Sequence, residues 1–262
     1  MKKTALITGA SGGIGLETAK IFASEGNNLI LVARSKDTLE RIRIEIEKQY
    51  KVEVLIIVKD LTVAGSSREI YEEVLKNGIS VNYLVNNAGY GDIGFFAGSD
   101  WNKQEGMINL NITALTYLTR LFLPGMISAG EGRILNVAST AAFQPGPTMS
   151  VYFATKAYVL HFSEAINNEL RDSGITVTVL CPGSTESNFH AVAIGDVNLV
   201  KKRKRASAYK VALAGYRGMM KGKPVVIPGF LNTVMAFAVR FLPREFIVGM
   251  VRKVQTGKNL NT

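Results

Sequence analysis

The stretch Thr8-Gly9-Ala10-Ser11-Gly12-Gly13-Ile14-Gly15 lies between two segments of different periodicity. Residues 4–8 (TALIT) form a short apolar run typical of a buried strand, and residues 14–25 (IGLETAKIFASE) have the apolar spacing of a helix. Small residues in such a turn let the backbone approach a pyrophosphate, and the N-terminus of the helix supplies N–H groups and a positive dipole. The spacing G-x-x-x-G-x-G is by itself a weak signal, because tight turns also use glycine.

Beyond this loop, apolar strand-like segments alternate with helix-like segments over the first 190 residues. Strands are predicted at residues 4–8, 28–32, 52–58, 81–85, 133–138 and 175–181, with a short last strand at 224–228. Helices are predicted at residues 14–25, 35–50, 63–76, 101–109, 111–128 and 151–173. Nearly continuous apolar strands separated by helices form parallel sheets covered on both faces. Right-handed crossovers then predict an α/β fold, a single-domain doubly wound (Rossmann) parallel sheet of about seven strands with helices on both faces.

The composition limits the chemistry and the location. Cys181 is the single cysteine, which excludes an intrachain disulfide and a multi-cysteine metal site. His161 and His190 lie far apart in the sequence, so no metal site is expected. The basic first residues are followed by glycines rather than by a signal-peptide apolar run, so we expect a cytoplasmic protein. No apolar stretch reaches the roughly 20 residues that a membrane span needs.

The glycine-rich loop also fits a second interpretation. Residues 9–13 match G-x-S-x-G, the nucleophile elbow of α/β hydrolases, with Ser11 as the nucleophile. A hydrolase needs an acid and then a histidine later in the chain. His161 falls in a predicted helix, only His190 falls in a predicted loop, and an elbow after the first strand is unusual. A serine hydrolase is therefore the weaker hypothesis.

Several polar motifs follow the predicted strands in order. They are Asn86-Asn87-Ala88-Gly89 after the fourth strand, Asn111 near a predicted helix start, Ser139 after the fifth strand, Tyr152-x-x-x-Lys156, and Pro182-Gly183 after the sixth strand. Together with the glycine-rich loop, this set resembles the classical short-chain dehydrogenase/reductase family from about residue 4 to residue 228, nearly the whole chain. Each motif alone is weak evidence for the family, but the occurrence of all of them in the same order after the predicted strands makes coincidence an implausible explanation.

The residues themselves indicate acid–base chemistry. Tyr152 and Lys156 are four residues apart and share one face of a helix. A nearby ammonium and an oxidised nicotinamide ring are expected to lower the pKa of the phenol, so that Tyr152 exchanges a proton with a carbonyl oxygen while hydride is transferred. Ser139 would hydrogen-bond the same oxygen. The resemblance implies that Lys156 also binds the nicotinamide ribose and that Asn111 belongs to a proton relay through water. Alternatively, Tyr152 is a buried aromatic, Lys156 is solvated, and Asn111 only caps a helix.

The tip of the second predicted strand indicates which nicotinamide cofactor is used. An acidic residue there would bind the ribose 2′-hydroxyl of NAD, but the chain has Arg34 and Ser35, which suit the 2′-phosphate of NADP(H). The alternative is that Arg34 is a surface residue and Asp37 turns towards the ribose. The full set of expected cofactor contacts, which includes those implied by the resemblance, is Gly9, Ser11, Gly13, Ile14, Gly15, Arg34, Ser35, Asp60, Leu61, Asn86, Ala88, Gly89, Tyr152, Lys156, Pro182, Gly183 and Thr185.

The basic charge is concentrated in the last quarter of the chain. The net charge is +10, and residues 191–262 contain 14 Lys and Arg against two Asp and Glu. The run at 201–205 (KKRKR) is interpreted as a solvated surface, a contact for an acidic carrier, or a membrane contact. Without interleaved aromatics or a binding motif it does not indicate specific nucleic-acid binding. Residues 230–254 are apolar, with Pro243 dividing them into two predicted helices that pack on the core, on another subunit or on a bilayer.

These observations predict an NADP(H)-dependent oxidoreductase that interconverts a carbonyl and an alcohol. The resemblance implies a single domain, 1–262, with a cofactor-binding and catalytic core at 1–182, a substrate lid at 183–223, and a last strand and helices at 224–262. It also implies a homodimer or homotetramer paired through helices 111–128 and 151–173. The expected substrate is a hydrophobic ketone, aldehyde or acyl compound, because the residues expected near the lid are apolar: Phe143, Phe189, Ala191, Val192 and Ile194. Alternatives are a non-catalytic dinucleotide-binding sensor, an epimerase or dehydratase, and the serine hydrolase.

Overall fold

The computed structural model describes residues 2–186 and 205–256, and all of its named strands belong to one sheet. The strands are β1 (Thr4–Thr8), β2 (Asn28–Ala33), β3 (Val54–Val58), β4 (Tyr83–Asn86), β5 (Gly132–Val137), β6 (Ile175–Leu180) and β7 (Val225–Val226). Their order is β3-β2-β1-β4-β5-β6-β7, and each neighbouring pair is parallel. The prediction of a doubly wound parallel sheet of seven strands is confirmed.

Helices cover both faces of this sheet. They are α1 (Gly13–Ser24), α2 (Lys36–Tyr50), α3 (Ser66–Lys76), α4 (Trp101–Ile108), α5 (Leu115–Ala129), α6 (Ser150–Glu169), α7 (Ala208–Met220), α8 (Phe230–Ala238) and α9 (Arg244–Thr256). Most bounds lie within a few residues of the prediction, and Pro243 separates α8 from α9 as expected. The two helices predicted at 101–109 and 111–128 are instead one continuous helix, because a π-helical segment, Asn109–Ala114, joins α4 to α5.

Two apolar layers hold the helices against the sheet. One layer contains Phe22 of α1, Leu31 of β2 and Leu39 of α2, all fully buried. The layer on the opposite face contains Ile70 of α3 and Leu118 of α5. Burying one such side chain contributes about 1.5–3 kcal/mol relative to leaving it exposed, so the central strands are apolar on both faces.

The order of the strands determines where a site can form. β1 is flanked by β2 on one side and by β4 on the other, so the connections that follow β1 and β4 leave the sheet in opposite directions. Doubly wound sheets bind ligands in the crevice at the carboxyl ends of strands where this reversal occurs. Here the glycine-rich loop follows β1, and Asn87, Ala88 and Gly89 follow β4 at the same edge of the sheet.

Within residues 2–186 and 205–256, one helix is long and apolar enough to cross a membrane by length and composition alone, contrary to the expectation from the sequence. It is the continuous helix Trp101–Ala129, in whose most apolar window 33% of the residues are buried inside the protein. The helices of soluble cores also satisfy this test. Buried Leu118 and Phe122 of this helix pack in the core layer beside β4 and β5.

Candidate active site

The glycine-rich loop folds tightly against the residues that follow β4. The amide of Asn87 donates hydrogen bonds to the carbonyl oxygens of Thr8, at 2.9 Å, and Gly9, at 3.2 Å. Gly9 has φ +66°, and a Cβ atom there would lie 2.8 Å from Nδ2 of Asn87. The Thr8 hydroxyl accepts from the backbone N–H groups of Asn87 and Ala88, both at 3.0 Å. The motif after β4 therefore holds the loop in place, a role for Asn87 that the sequence analysis did not assign.

The loop leaves the N-terminus of α1 open. Gly12 is the N-cap residue of α1, and among the described residues no side chain accepts a hydrogen bond from the first N–H groups of the helix. The first turn of α1 has no acidic residue, and a Cβ atom at Gly12 would meet nothing within 4 Å. Ser11 is exposed, whereas Gly15 is buried against the loop. Backbone N–H groups at an uncapped helix start with open space in front of them suit a pyrophosphate.

Arg34 lies immediately after β2, at the same edge of the sheet. Its side chain is 74% exposed, and its Nη1 atom lies 3.8 Å from Oδ2 of Asp60. An ion pair this exposed is weak, so the guanidinium can turn to another anion. The Ser35 hydroxyl donates to Thr38 at 2.9 Å, and Asp37 lies in the first turn of α2.

Helix α6 brings the predicted catalytic pair to the end of β5. Tyr152 and Lys156 are both buried, and Nζ of Lys156 donates to the carbonyl oxygen of Val137 at 2.9 Å. Ser139 follows β5 and caps the short 3₁₀ turn Thr140–Phe143, where its hydroxyl accepts from the N–H of Ala141 at 3.1 Å. The same hydroxyl hydrogen-bonds Tyr152. Ser139, Tyr152 and Lys156 therefore form one cluster.

Burial controls the protonation of this cluster. It raises the pKa of Tyr152 to about 12, although the hydrogen bond from Ser139 acts in the opposite direction. It also lowers the pKa of Lys156 to about 8. In the protein without a nicotinamide ring beside it, the pKa of the phenol is therefore raised rather than lowered, because desolvation outweighs the hydrogen bond from Ser139. At neutral pH the phenol stays protonated, which suits a proton donor.

Asn111 joins the same cluster from the π-helical segment. Its Oδ1 atom accepts from the N–H of Tyr90 at 3.2 Å, and its Nδ2 atom donates to the carbonyl oxygen of Tyr90 and the hydroxyl of Thr155, both at 3.0 Å. The Thr155 hydroxyl donates to the carbonyl oxygen of Tyr152 at 2.8 Å. Asn111 is thus neither at a helix start nor a cap, which corrects that expectation. π-helical turns often occur at functional sites.

Gly89 completes the contact between the loop after β4 and this cluster. A Cβ atom there would lie 2.9 Å from Oδ1 of Asn111 and 3.3 Å from Nζ of Lys156. Only glycine leaves this space free. Thr155 and Tyr90 carry no sequence signal that marks them as site residues, because both act through contacts with Asn111, which lies far from them in the chain.

Besides the buried Tyr152 and Lys156, the expected cofactor contacts Asn86 and Leu61 have buried side chains. Asn86 is 2% exposed, and its amide donates to Thr119 at 3.1 Å and to Asn136 at 2.9 Å. Leu61 lies in the core layer that also contains Ile70. The side chains of Asn86 and Leu61 therefore pack inside the protein, and only the backbones of these two residues lie near the loops of the site.

The loop after β6 closes the other side of the cluster. The carbonyl oxygen of Pro182 accepts from the N–H of Thr140 at 2.9 Å and from the hydroxyl of Ser139 at 3.4 Å. A Cβ atom at Gly183 would lie 2.8 Å from Nδ2 of Asn232, and the buried Thr185 donates to the carbonyl oxygen of Gly183 at 2.9 Å. Residues 187–204 of the predicted lid lie outside the described residues, and with them Phe189, Ala191, Val192, Ile194 and the basic residues 201–204.

The hydrolase hypothesis finds no support where the structure describes the chain. His161 is 76% exposed on α6, where its Nδ1 atom lies 3.9 Å from Glu164. α6 covers the sheet face opposite α1, so this imidazole lies far from Ser11. His190 lies outside the described residues.

Comparison with known proteins agrees with this geometry. A family model described as "short chain dehydrogenase" matches residues 3–196. The chain therefore belongs to the short-chain dehydrogenase family, and Ser139, Tyr152 and Lys156 all lie within the matched residues.

Two curated relatives are similar in sequence. The very-long-chain 3-oxoacyl-CoA reductase of Anas platyrhynchos is 38% identical over 184 residues, which cover 68% of this chain and 58% of that protein. The inactive hydroxysteroid dehydrogenase-like protein 1 of Homo sapiens is 38% identical over 183 residues, 68% of this chain and 54% of that protein. The matched part of the chain thus spans less than two thirds of the length of either relative.

A solved structure is similar over nearly the whole chain. The short-chain dehydrogenase from Sphingobium yanoikuyae in complex with NADPH is 31% identical and has a TM-score of 0.83. The match covers 99% of this chain and 97% of that one. The similarity therefore extends beyond the residues of the family model to the C-terminal helices.

Proposed function

We propose that this chain is an NADP(H)-dependent oxidoreductase that interconverts a carbonyl compound and an alcohol. The observation that carries the proposal is the buried cluster of Ser139, Tyr152 and Lys156 beside an open, uncapped helix start. The space that Gly89 keeps open and the start of α1 at Gly12, where no side chain of the described residues forms a cap, fit a dinucleotide. Such a cofactor supplies or accepts the hydride when it is bound.

When the carbonyl compound is reduced, the protein supplies the proton. The raised pKa keeps the Tyr152 hydroxyl protonated, so it can donate that proton to the carbonyl oxygen as the oxygen becomes negatively charged. The Ser139 hydroxyl, which already hydrogen-bonds Tyr152, orients the same oxygen. The Lys156 ammonium then stabilises the phenolate that remains, and in oxidation the proton moves in the opposite direction.

The preference for NADP(H) rests on Arg34. Its exposed guanidinium follows β2 and forms a 3.8 Å ion pair with Asp60. A bound 2′-phosphate can replace this weak partner with charge-assisted hydrogen bonds. The NADPH complex of the Sphingobium yanoikuyae relative supports the same choice.

The substrate class is a hydrophobic ketone, aldehyde or acyl compound. Phe143, at the end of the turn that carries Ser139, packs in an apolar cluster with Val159 and Cys181. The relative named as a very-long-chain 3-oxoacyl-CoA reductase supports an acyl substrate. A screen of NADPH consumption over aldehydes, ketones and 3-oxoacyl thioesters tests the proposal directly, and turnover of at least one class is the expected result.

A second candidate is a dinucleotide-binding protein without turnover. The relative named as inactive favours it. The complete cluster of Ser139, Tyr152 and Lys156 favours the enzyme. The two hypotheses differ in one measurement, because a sensor would bind NADPH but consume none with any compound of the screen.

A further inference from the structure

The two C-terminal helices carry an exposed apolar surface, here called the C-terminal apolar surface. Phe230 and Phe241 are each 86% exposed, which is unusual for phenylalanine. The surface consists of Phe230, Leu231, Val234, Met235, Phe237, Phe241, Leu242, Phe246 and Met250. A contiguous apolar patch of this kind on a protein surface marks a binding surface.

The exposed residues follow helical spacing. Phe230, Val234, Phe237 and Phe241 lie four, three and four residues apart, so they form one stripe along α8 and the turn that follows it. Ala236, on the other face of α8, is buried. Helix α8 therefore has two apolar faces: the face with Ala236 packs on the protein, and the stripe is exposed.

Helix α9 has the same two-faced pattern. Ile247 and Val251 are buried in the cluster that contains Tyr152 and Phe153. Phe246 and Met250, also four residues apart, are 60% and 40% exposed. Packing on the core, one of the interpretations left open by the sequence, thus accounts for Ala236, Ile247 and Val251 but not for the exposed apolar residues of these helices.

The charges beside the C-terminal apolar surface indicate which kind of partner it binds. Arg240, Arg244, Arg252 and Lys253 accompany it against the single acidic residue Glu245, and the guanidinium of Arg240 lies 5.5 Å from the ring centre of Phe237. Apolar residues bordered by arginines match the interface of an anionic bilayer, where rings enter the acyl boundary and cations meet headgroups. A second copy of the chain would instead bring two positively charged surfaces together.

We propose that the C-terminal apolar surface docks on a membrane that contains anionic lipids. The apolar segment Phe230–Phe241 is too short to span a bilayer, so it would lie in the interface plane. Asn232 of α8 lies close to Gly183, and the buried face of α9 packs in the cluster that contains Tyr152, so the helices that carry the docked surface border the candidate site through their other faces. Docking would then place the site next to a membrane in which an apolar substrate can dissolve. This last step rests on the proposed function, whereas the docking does not.

The test uses the full chain and vesicles of phosphatidylcholine with or without about one third phosphatidylglycerol. Co-sedimentation should occur with the anionic vesicles and weaken as NaCl rises from about 0.05 M to about 0.5 M. The double variant Phe237→Glu/Phe241→Glu should lose binding by about tenfold or more. Ile44→Glu/Leu75→Glu is the matched control, because it adds the same charges at apolar side chains that are 59% and 56% exposed on α2 and α3.

A second variant tests the charge alone. Arg240→Ser/Arg244→Ser should reduce binding to anionic vesicles without removing any apolar side chain. Thermal unfolding and NADPH binding of each variant show that the fold and the cofactor site are intact, and neither measurement depends on turnover. Absence of vesicle binding by the natural chain, or equal loss in the matched control, would overturn the proposal. Conversion of an oligomer to a monomer by Phe237→Glu/Phe241→Glu, without vesicle binding by the natural chain, would show that the surface joins two copies instead.

Discussion

The Nζ atom of Lys156 lies 5.8 Å from the centre of the Tyr152 ring and donates its hydrogen bond to the carbonyl oxygen of Val137. The lysine thus ties α6 to the end of β5 while its charge stays beside the phenol. Because the two groups are buried together, their protonation states depend mainly on desolvation. Activity, cofactor binding and stability can therefore be tested separately by substitutions around this pair.

Tyr152→Phe should reduce turnover while the protein still folds and binds NADPH. The substitution keeps the ring and removes only the hydroxyl, and general acid–base catalysis contributes about 10²–10⁴-fold in rate. Steady-state kinetics on any substrate found in the screen measures the loss. Tyr158→Phe is the matched control, since Tyr158 lies on the same helix with 37% of its surface exposed and should keep normal turnover. Near-normal turnover of Tyr152→Phe would show that the proposed mechanism is wrong.

Arg34→Asp should narrow or reverse the cofactor preference. The natural chain is expected to bind NADPH at least about tenfold tighter than NADH, which corresponds to about 1.4 kcal/mol. An aspartate there repels the 2′-phosphate and accepts from a 2′-hydroxyl. Fluorescence titration with both cofactors measures the ratio, and the exposed Arg41 on α2 provides the control variant Arg41→Asp. Equal affinities of the natural chain for the two cofactors would contradict the assignment.

The stability of the protein should rise with pH above 8 because of Lys156. Burial lowers the pKa of this ammonium from 10.5 to about 8, so between these values the unfolded chain binds a proton that the folded chain has released. Lys156 alone then contributes an increase of about 2 kcal/mol in the free energy of unfolding from pH 8 to pH 10. Burial raises the pKa of the Cys181 thiol from 9.0 to about 12 and that of the Tyr152 phenol from 10.0 to about 12, so these two groups oppose the increase above about pH 9, and the Lys156 contribution is the difference between the natural chain and Lys156→Met. Urea unfolding at several pH values measures this rise, which should be absent in Lys156→Met.

Thr155→Val should reduce both stability and turnover. The Thr155 hydroxyl accepts from Asn111 and donates to the carbonyl oxygen of Tyr152, so its removal leaves buried polar groups without a partner, at about 1–3 kcal/mol. Turnover should fall a few-fold with KM for NADPH unchanged, because Asn111 and α6 are no longer tied together. Thr178→Val is a matched control, since the buried hydroxyl of Thr178 has no hydrogen-bond partner among the residues that the structure describes. Its removal should be neutral or stabilising.

We expect a homodimer or homotetramer that pairs through α5 and α6. On these helices the hydroxyls of Thr116 and Tyr158 are 3.0 Å apart, and Ile127 and Tyr158 are 46% and 37% exposed. Light scattering at micromolar concentration should give a multiple of the 28.5 kDa chain mass. Ile127→Glu should shift the distribution towards the monomer, and a monomeric natural chain would refute the expectation.

The sheet could be predicted from the sequence because its signal is local. Each strand is a short apolar run, and right-handed crossovers between parallel strands lead to a doubly wound sheet, whereas the strand order comes from the structure. The catalytic cluster could be predicted from spacing, since Tyr152 and Lys156 lie one helical turn apart. The hydrogen bonds from Asn111 to Tyr90 and Thr155 could not be predicted, because they join segments far apart in the chain. The raised pKa of Tyr152 could not be predicted for a similar reason, since burial is a property of the packed protein.

Because the π-helical segment Asn109–Ala114 joins α4 to α5, the contacts of this helix depend more on the number of its residues than on their identity. An α-helix turns by about 100° per residue, so one deleted residue would rotate α5 against α4 by about that angle. Asn111 and Thr119 could then no longer meet Thr155 and Asn86 at the same time. Over evolutionary time, this helix should accept many substitutions on its outer face but no insertion or deletion between its two ends.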